Sequence, residues 1–494
     1  MENIKAGEKF NQDLVLKLVF SCVPAIFWVV FLWNFWDKGP EALGFNTTIF
    51  GFLFLGLFIW TLHKKGYYTN YDLIWIIPMI LMTLSYSIYD NQFLKIIGLL
   101  VTPAMFTVFY NQAFLDDKKT KFWNFEFILK IIGRFFSFLT KIGQTATLYL
   151  NLIIPAGKTK KQVIVRVLGG IILFLIIAFT VFIPLLSSAD AVFAGKFQFI
   201  YNWFLDIISL PFIYRLLMFV ILTILFFSTL TAWSRRFDYE EKDSDDKKID
   251  SIISGIVLGG VLGLYLLFLW VQINRLWVGA LPFDFKETES LVKGGFWQLL
   301  FLSIINILIY FFTYRKTTIW VQRILTAFTI ASLLLLISAG YRMGLYVTYY
   351  GFSYEKFFAS YTVVYCAILF VWLIIQLFIK QRANILKFLM ILFLWMYALV
   401  SVFPVEQFIL RANVALSNIK ESRIRLLELT MLSPDVLSLV KKYKQQGLLK
   451  ESGNKADEDL EWNLWIKRQE KKILAKTWYE KNLMNVIYAC KYDK

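Results

Sequence analysis

Apolar residues fill this chain in long runs, and polar residues collect in the gaps between them. Runs long enough to cross about 30 Å of hydrocarbon fall at 14–33, 48–62, 73–88, 93–109, 163–186, 211–233, 252–271, 296–314, 319–339, 361–379 and 385–403. Lipid offers no partner for backbone N–H and C=O groups, so such runs must be helical. The pattern predicts an all-α fold, a polytopic transmembrane helix bundle of about 11 spans. The runs at 48–62 and 73–88 are the shortest. The first run has no small-residue cleavage site behind it and reads as an anchor rather than a removable signal.

After residue 403 hydropathy falls while helical patterning continues. Ser433-Pro434-Asp435 has the form of a helix start: a side-chain acceptor, a first-turn proline and an acid at the positive end. Gly447 is placed to end that helix, and 451–457 reads as a polar loop. Trp462, Trp465, Leu474 and Trp478 then supply the apolar face of a last amphipathic segment. The expected organisation is an N-terminal four-span unit (1–110), a cytoplasmic interfacial helical segment (111–162), a seven-span core (163–403) and a small helical extramembrane C-terminal domain on the outer side (404–494).

Within the interfacial segment, Lys130, Arg134 and Lys141 fall within roughly 40° of one another on an ideal helix. Such a stripe suits anionic lipid headgroups on the cytoplasmic side. A helix packed beneath the bundle explains it equally. The stretch 192–210 is a second amphipathic candidate.

Composition agrees with lipid as the solvent: 58% of the 494 residues are hydrophobic and 18% aromatic, against roughly 45–50% apolar in soluble proteins. The net charge of +17 does not point to nucleic acid, because the basic residues interrupt apolar runs instead of clustering. With the N-terminus cytoplasmic, the alternating inner segments hold 25 Lys and Arg and the outer segments before residue 403 hold 8. That bias predicts a multi-pass protein of a bacterial inner (cytoplasmic) membrane with its C-terminus extracytoplasmic.

Catalytic signatures are scarce. Cys22, Cys366 and Cys490 have no metal-site or disulfide spacing, His63 is the only histidine, and no phosphate-cradling glycine loop is present. No catalytic residue, metal ligand or cofactor is assigned. Acidic residues are missing from the centres of the runs, which weighs against a proton-coupled pump. The intramembrane polar groups are Gln298, Asn306 and Gln376, read as interhelical hydrogen-bonding groups or ligands. Ser251, Gly255, Gly259 and Gly263 recur every fourth residue, a spacing for close helix packing within the chain or with a second copy. Asp190, Arg275, Asp284, Arg342 and Glu406 gather at outer span ends. They define a hypothetical outer polar pocket covered by the C-terminal domain, with separate snorkelling charges as the competing explanation.

Several short strings occur in a telling order: Leu185-Leu-Ser-Ser-Ala-Asp190-Ala-Val-Phe193, Gly295-Phe-Trp-Gln-Leu-Leu300, Arg342-Met-Gly-Leu-Tyr346 with Tyr350-Gly351, Leu432-Ser-Pro-Asp435 and Glu461-Trp-Asn-Leu464. In this order the chain resembles the bacterial membrane-protein family catalogued as domain of unknown function 4173, related to 4153. Lys293-Gly294 departs from the family pattern. The resemblance implies a membrane protein and brings no reaction or substrate.

Three functional classes follow. The first is a non-enzymatic membrane scaffold, sensor or assembly component whose outer domain meets a protein partner. The second is a transporter or channel for a lipid-like or uncharged solute. The third is a lipid-linked glycosyltransferase, with Asp37 and Glu41 as acids of the first outer loop.

Overall fold

The structure is a computed structural model of the whole chain. It describes residues 2–64, 73–113, 125–153, 167, 170–171, 174, 177–190, 195, 210–233, 250–314 apart from 277–284, 316–379, 384–419, 422, 424–449 and 455–492. Among these every regular element is helical. The longer helices are α1 (Glu2–Phe31), α2 (Phe45–Lys64), α3 (Leu73–Ile88), α4 (Gln92–Ala113), α5 (Phe125–Phe135), α6 (Ile142–Ile153), α7 (Leu210–Trp233) and α8 (Ser251–Leu276). There follow α9 (Phe285–Thr313), α10 (Ile319–Tyr350), α11 (Tyr354–Ile379), α12 (Ile385–Val402), α13 (Val405–Ser417), α14 (Leu437–Gln445), α15 (Lys455–Leu474) and α16 (Leu483–Tyr492).

Seven described helices are long and apolar enough to cross a membrane: parts of α4, α7, α8 and α9, and α10, α11 and α12. This is fewer than the expected 11. The first run is bent by 55° between Lys17–Phe31 and Phe35–Ala42, and counts as one further span only if the bent pair crosses together. Phe45–Trp60 and Leu73–Ile88 are apolar but short; at 1.5 Å per residue, the 16 residues of α3 reach about 24 Å. Most of the run at 163–186, and the stretch 192–210, lie outside the described residues.

The chain packs as two compact units that alternate along the sequence. The first holds 1–69, 103–114 and 126–238, and the second 70–102, 115–125 and 239–494. In the first unit α1 lies along α7, and Phe54, Phe58, Phe106, Tyr110 and Trp233 form a chain of ring contacts. The ideal helix on which Lys130, Arg134 and Lys141 share a face is interrupted: after α5, residues Phe136–Lys141 tighten into a 3₁₀ turn. Lys141 therefore leaves the stripe it would share with Lys130 and Arg134 on an unbroken α-helix.

In the second unit α10 is the hub, packed by α8, α9 and α11. Leu325, Phe328, Ser332, Leu335, Ala339, Met343 and Tyr346 follow one another at spacings of three or four and are all buried, the stripe expected of a helix surrounded by others. Its remaining face, with Leu334 and Ile337, is exposed, which is where lipid replaces protein. Tyr265 Oη donates to Asn306 Oδ1 at 2.7 Å, and Asn306 Nδ2 donates to Ser332 Oγ at 2.9 Å, joining α8, α9 and α10 through uncharged groups.

The segment after α12 is helical and belongs to the second unit. Ser433 caps a short turn at Pro434–Val436 that leads into α14, accepting from the Asp435 N–H at 3.3 Å. Gly447 follows α14 with φ of +70°, the left-handed conformation a glycine adopts without strain. Trp462 and Trp465 of α15 are buried and meet edge to face. Leu474 and Trp478, expected on the same apolar face, are instead exposed. On α15 the buried stripe runs through Trp462, Trp465, Gln469 and Ile473, which leaves Leu474 about 100° away from Ile473, and the helix ends at Leu474, so its register does not carry on to Trp478.

Candidate functional site

Charges gather where α3 turns into α4. The helices are separated only by Tyr89-Asp90-Asn91, and Asn91 starts α4 by accepting from the Leu94 N–H at 3.1 Å. This tight turn points Asp90 inward, with 1% of its surface exposed. Lys95, one turn into α4, donates to Asp90 Oδ1 at 2.7 Å. Lys476, from the turn after α15, donates to Asp90 Oδ2. Both ammonium groups are buried with it, so each carboxylate oxygen meets a full positive charge in a setting where an unmatched charge costs several kcal/mol.

A second acid joins through the backbone. The Asp90 N–H donates to Asp435 Oδ2, and Asn482 Nδ2 donates to Asp435 Oδ1 at 3.1 Å. A third acid, Glu406 in the first turn of α13, accepts from the Tyr354 hydroxyl on one oxygen. Its other oxygen accepts from the Ser433 hydroxyl and from the Ser433 N–H at 2.9 Å. Ser433 Oγ also accepts from the Asp435 N–H, so one hydroxyl links the Glu406 carboxyl to the Asp435 backbone. The cluster thus joins the α3–α4 turn, the start of α11, the segment after α12 and the C-terminal turns.

The three carboxyls titrate differently. Burial alone would raise Asp90, but Lys95 and Lys476 outweigh it and hold the carboxyl below its ordinary range. Burial raises Glu406, and the hydrogen bonds from Ser433 and Tyr354 offset this only in part. Asp435 is raised well above its ordinary value by burial, then by repulsion from Asp90 and Glu406. The result is a fixed anion between two cations, next to two carboxyls biased toward the protonated form.

Beside these acids is a cavity of about 10 Å³ lined by Tyr89, Asn91, Ser401, Glu406, Gln407 and Asp435, among others, room for about one water. The buried Asn91 Nδ2 has no hydrogen-bond partner. A larger apolar cavity, about 20 Å³, lies within the first unit among Phe20, Pro24, Phe54, Phe58, Phe226 and Leu230. Among the described residues no three His, Cys, Asp or Glu side chains form a metal-binding group.

The turn between α10 and α11 is fixed beside the cluster. Gly351 has φ of +70°, and a Cβ there would fall 2.7 Å from Asn413 Oδ1. That oxygen accepts from the Phe352 N–H at 2.6 Å, while Asn413 Nδ2 donates to the Phe352 carbonyl at 2.8 Å. Lys356 Nζ closes the C-terminal end of α10 by donating to the Tyr350 and Gly351 carbonyls, where a cation suits the helix dipole.

The residues named from the sequence are spread more widely. Glu406 is in the cluster. Arg342 is half-buried on α10 in the same unit, and Asp190 is exposed at the end of Ile183–Ala189 in the first unit. Arg275 lies in the last turn of α8 with its side chain outside the described residues, as is Asp284 altogether. Asn306 is buried in the bridge described above, Gln298 is exposed, and the Gln376 carbonyl accepts from Tyr314 Oη at 3.2 Å. Ser251 Oγ accepts from the Thr318 N–H at 3.1 Å. A Cβ at Gly255 would touch Val321 at an ordinary 3.5 Å, and at Gly259 and Gly263 it would meet nothing within 4 Å.

In the first unit Arg134 Nη2 donates to the Trp233 carbonyl at the end of α7 at 3.0 Å, and Trp233 Nε1 returns a bond to the Arg134 carbonyl. Lys130 pairs with Glu126 at 3.3 Å, and Lys141 donates to Gln144 at 3.0 Å. Asp90, Lys476 and Tyr354 carry no local signal for their role. The one clue is that Asp90 and Lys95 are charges in the narrow gap and first turn between two apolar runs.

A family model described as domain of unknown function (DUF4153) matches residues 76–443, more than half of the 494-residue chain. The chain belongs to that family. The family shown is therefore 4153, the relative of the 4173 expected from the short strings. Its match starts earlier than those strings, within α3, and takes in Asp90, Lys95, Tyr354, Glu406, Ser433 and Asp435, ending before Lys476. No curated protein and no solved structure matches the chain.

Proposed function

We propose that this DUF4153 protein is a non-enzymatic scaffold or sensor component of a bacterial inner membrane, acting through the helical segment after Phe403 on the extracytoplasmic side. The observation that carries this reading is Asp90, buried between Lys95 and Lys476, the second of which lies 386 positions further along the chain. A segment tethered only by its chain connection would need no such clamp. One held by a buried ion pair is fixed in orientation, as a surface presented to a partner must be. The neighbouring acids, Glu406 and Asp435, supply a means of sensing if their protonation loosens or tightens the same joint.

The charge bias supports placing this end outside. Asp90, Tyr354 and Glu406 follow or precede runs whose odd and even order puts all three on the outer side.

The test combines location with complementation. Reporter fusions after Phe403 and at Lys494 are expected to read extracytoplasmic. In cells lacking the protein, a Lys476→Met chain that still inserts is expected to fail wherever the full chain restores a phenotype, with its C-terminal segment newly sensitive to protease. Full restoration by a Lys476→Met chain whose segment is cleaved would end the scaffold reading, and cytoplasmic readout from both fusions would end the placement.

A further inference from the structure

The clamp also sets a depth. Asp90 is at the joint of two apolar helices, α3 and α4, of which α4 is long enough to cross a membrane. Whatever binds Asp90 is therefore held at the level where hydrocarbon gives way to headgroups. Lys476 is bound there, and α16 packs against α3.

The surface that flanks Lys476 has the composition of that layer. Leu474 is 63% exposed, Trp478 68%, Leu483 45% and Ile487 49%. Leu483, Ile487 and the exposed Cys490 recur at four and three residues along α16, so they share one face. Its opposite side is held by Asn485 and Tyr488, which are buried. Lys471 and Lys472 are exposed beside Leu474, and Lys481 stands between Trp478 and Leu483. Exposed leucine, isoleucine and tryptophan among lysines are poorly suited to bulk water and well suited to a bilayer interface, where indole rings settle at headgroup level and lysines meet phosphates.

We propose that residues 471–490 lie in the interface of the same membrane that holds the bundle, with Leu474, Trp478, Leu483 and Ile487 in the acyl boundary and Lys471 and Lys472 on anionic phospholipid headgroups. The bilayer surface covers these residues, because depth and charge both point to it. The inference holds whether or not the segment presents a partner surface. Leu460 and Leu464 on α15, which are also exposed, lie outside this surface and face water.

The test is spin-label accessibility on the full chain in nanodiscs of phosphatidylcholine with or without phosphatidylglycerol. Single labels go at Trp478→Cys and Ile487→Cys, with Leu460→Cys as the reference, each in a chain whose native Cys22, Cys366 and Cys490 are replaced by Ser. The native Cys490 serves as a label site that needs no new substitution on this surface. In the mixed nanodiscs, oxygen is expected to reach labels at 478, 487 and 490 more readily than a water-soluble nickel chelate does, with the order reversed at 460. Lys471→Glu with Lys472→Glu is expected to lower the oxygen-to-nickel ratio at 487 in phosphatidylglycerol-containing nanodiscs and not in pure phosphatidylcholine. Nickel access at 478, 487 and 490 equal to that at 460 would overturn the proposal. So would exclusion of both quenchers, which would mean cover by protein. Neither result bears on where the reporter fusions place the segment.

Discussion

Two buried polar networks in the second unit solve different problems. Between α8, α9 and α10, Tyr265, Asn306 and Ser332 join helices with neutral groups. At the α3–α4 turn, Asp90, Lys95 and Lys476 join distant parts of the chain with full charges. Neutral groups cost less to desolvate and are easily replaced, so they refine a packing that apolar contacts already fix. Charges buried at a helix end cost far more when one is removed. Such a cluster holds together only when all its members are present. The comparison says that the bundle is held by apolar packing, whereas the docking of the C-terminal segment depends on a few charged atoms.

The largest effect is expected at Asp90. Asp90→Asn leaves Lys95 and Lys476 facing one another without their common anion, and a loss of about 3–5 kcal/mol is expected, read as detergent-solubilised unfolding together with protease release of the C-terminal segment. Lys476→Met should cost less, because Asp90 keeps Lys95. Equal costs for the two substitutions would mean that Lys95 alone does not compensate Asp90.

Gly351→Ala is expected next. It places a Cβ at a positive φ and against Asn413 Oδ1, so a loss of about 1–3 kcal/mol is expected, with the turn between α10 and α11 displaced. Gly98→Ala tests a different constraint, since its Cβ would fall 2.5 Å from Tyr86 Oη. That hydroxyl would have to leave the Lys95 carbonyl to which it donates.

The acids give the comparison a pH axis, on which two opposite signs apply. Asp90 is depressed, so its contribution is present at neutral pH and is lost as pH falls below the ordinary carboxylate range. Glu406 and Asp435 are raised, so their contribution is complete below the ordinary carboxylate value. It declines as pH rises from there through their folded-state values. Stability should therefore pass through a maximum in acid. Asp435→Asn, which holds the side chain neutral, is expected to flatten the decline on the alkaline side in a series of melting temperatures against pH. An unchanged slope would mean that Asp435 does not titrate in the joint.

The smallest effects belong to the bundle. Asn306→Ala is expected to cost about 0.6 kcal/mol, the typical value for an interhelical hydrogen bond in a membrane, measured by the same unfolding assay. A cost as large as that at Asp90 would erase the distinction between the two networks. Gly259→Ala meets open space and is expected to leave the monomer unchanged. A loss confined to an oligomer would show that the four-residue spacing serves a second copy.

Much of this was legible from the sequence, for local reasons. The apolar runs mark the long helices because lipid leaves the backbone few options, and Ser433-Pro434-Asp435 announces its turn because capping needs only neighbours. Glu406 was visible as a charge beyond the last run. Its partners Tyr354 and Ser433 were not, since a hydrogen bond across 52 or 27 residues leaves no periodic trace. The same limit explains the glycines. Spacing drew attention to Gly259 and Gly263, but close approach occurs at Gly98, where the tyrosine that fills the space comes from another helix.

By itself, then, the sequence determined a helical membrane protein, the bounds of most of its long helices and the turns that punctuate its C-terminal segment. All of these follow from interactions within a few residues or with the solvent. Tertiary structure alone decided that, among the described residues, the bend at the first run and the ends of the short helices leave seven clear spans, and that Lys476 belongs to Asp90. The pairing of charges depends on where whole helices end in space, and one buried carboxylate selects its cations by position rather than by any pattern along the chain.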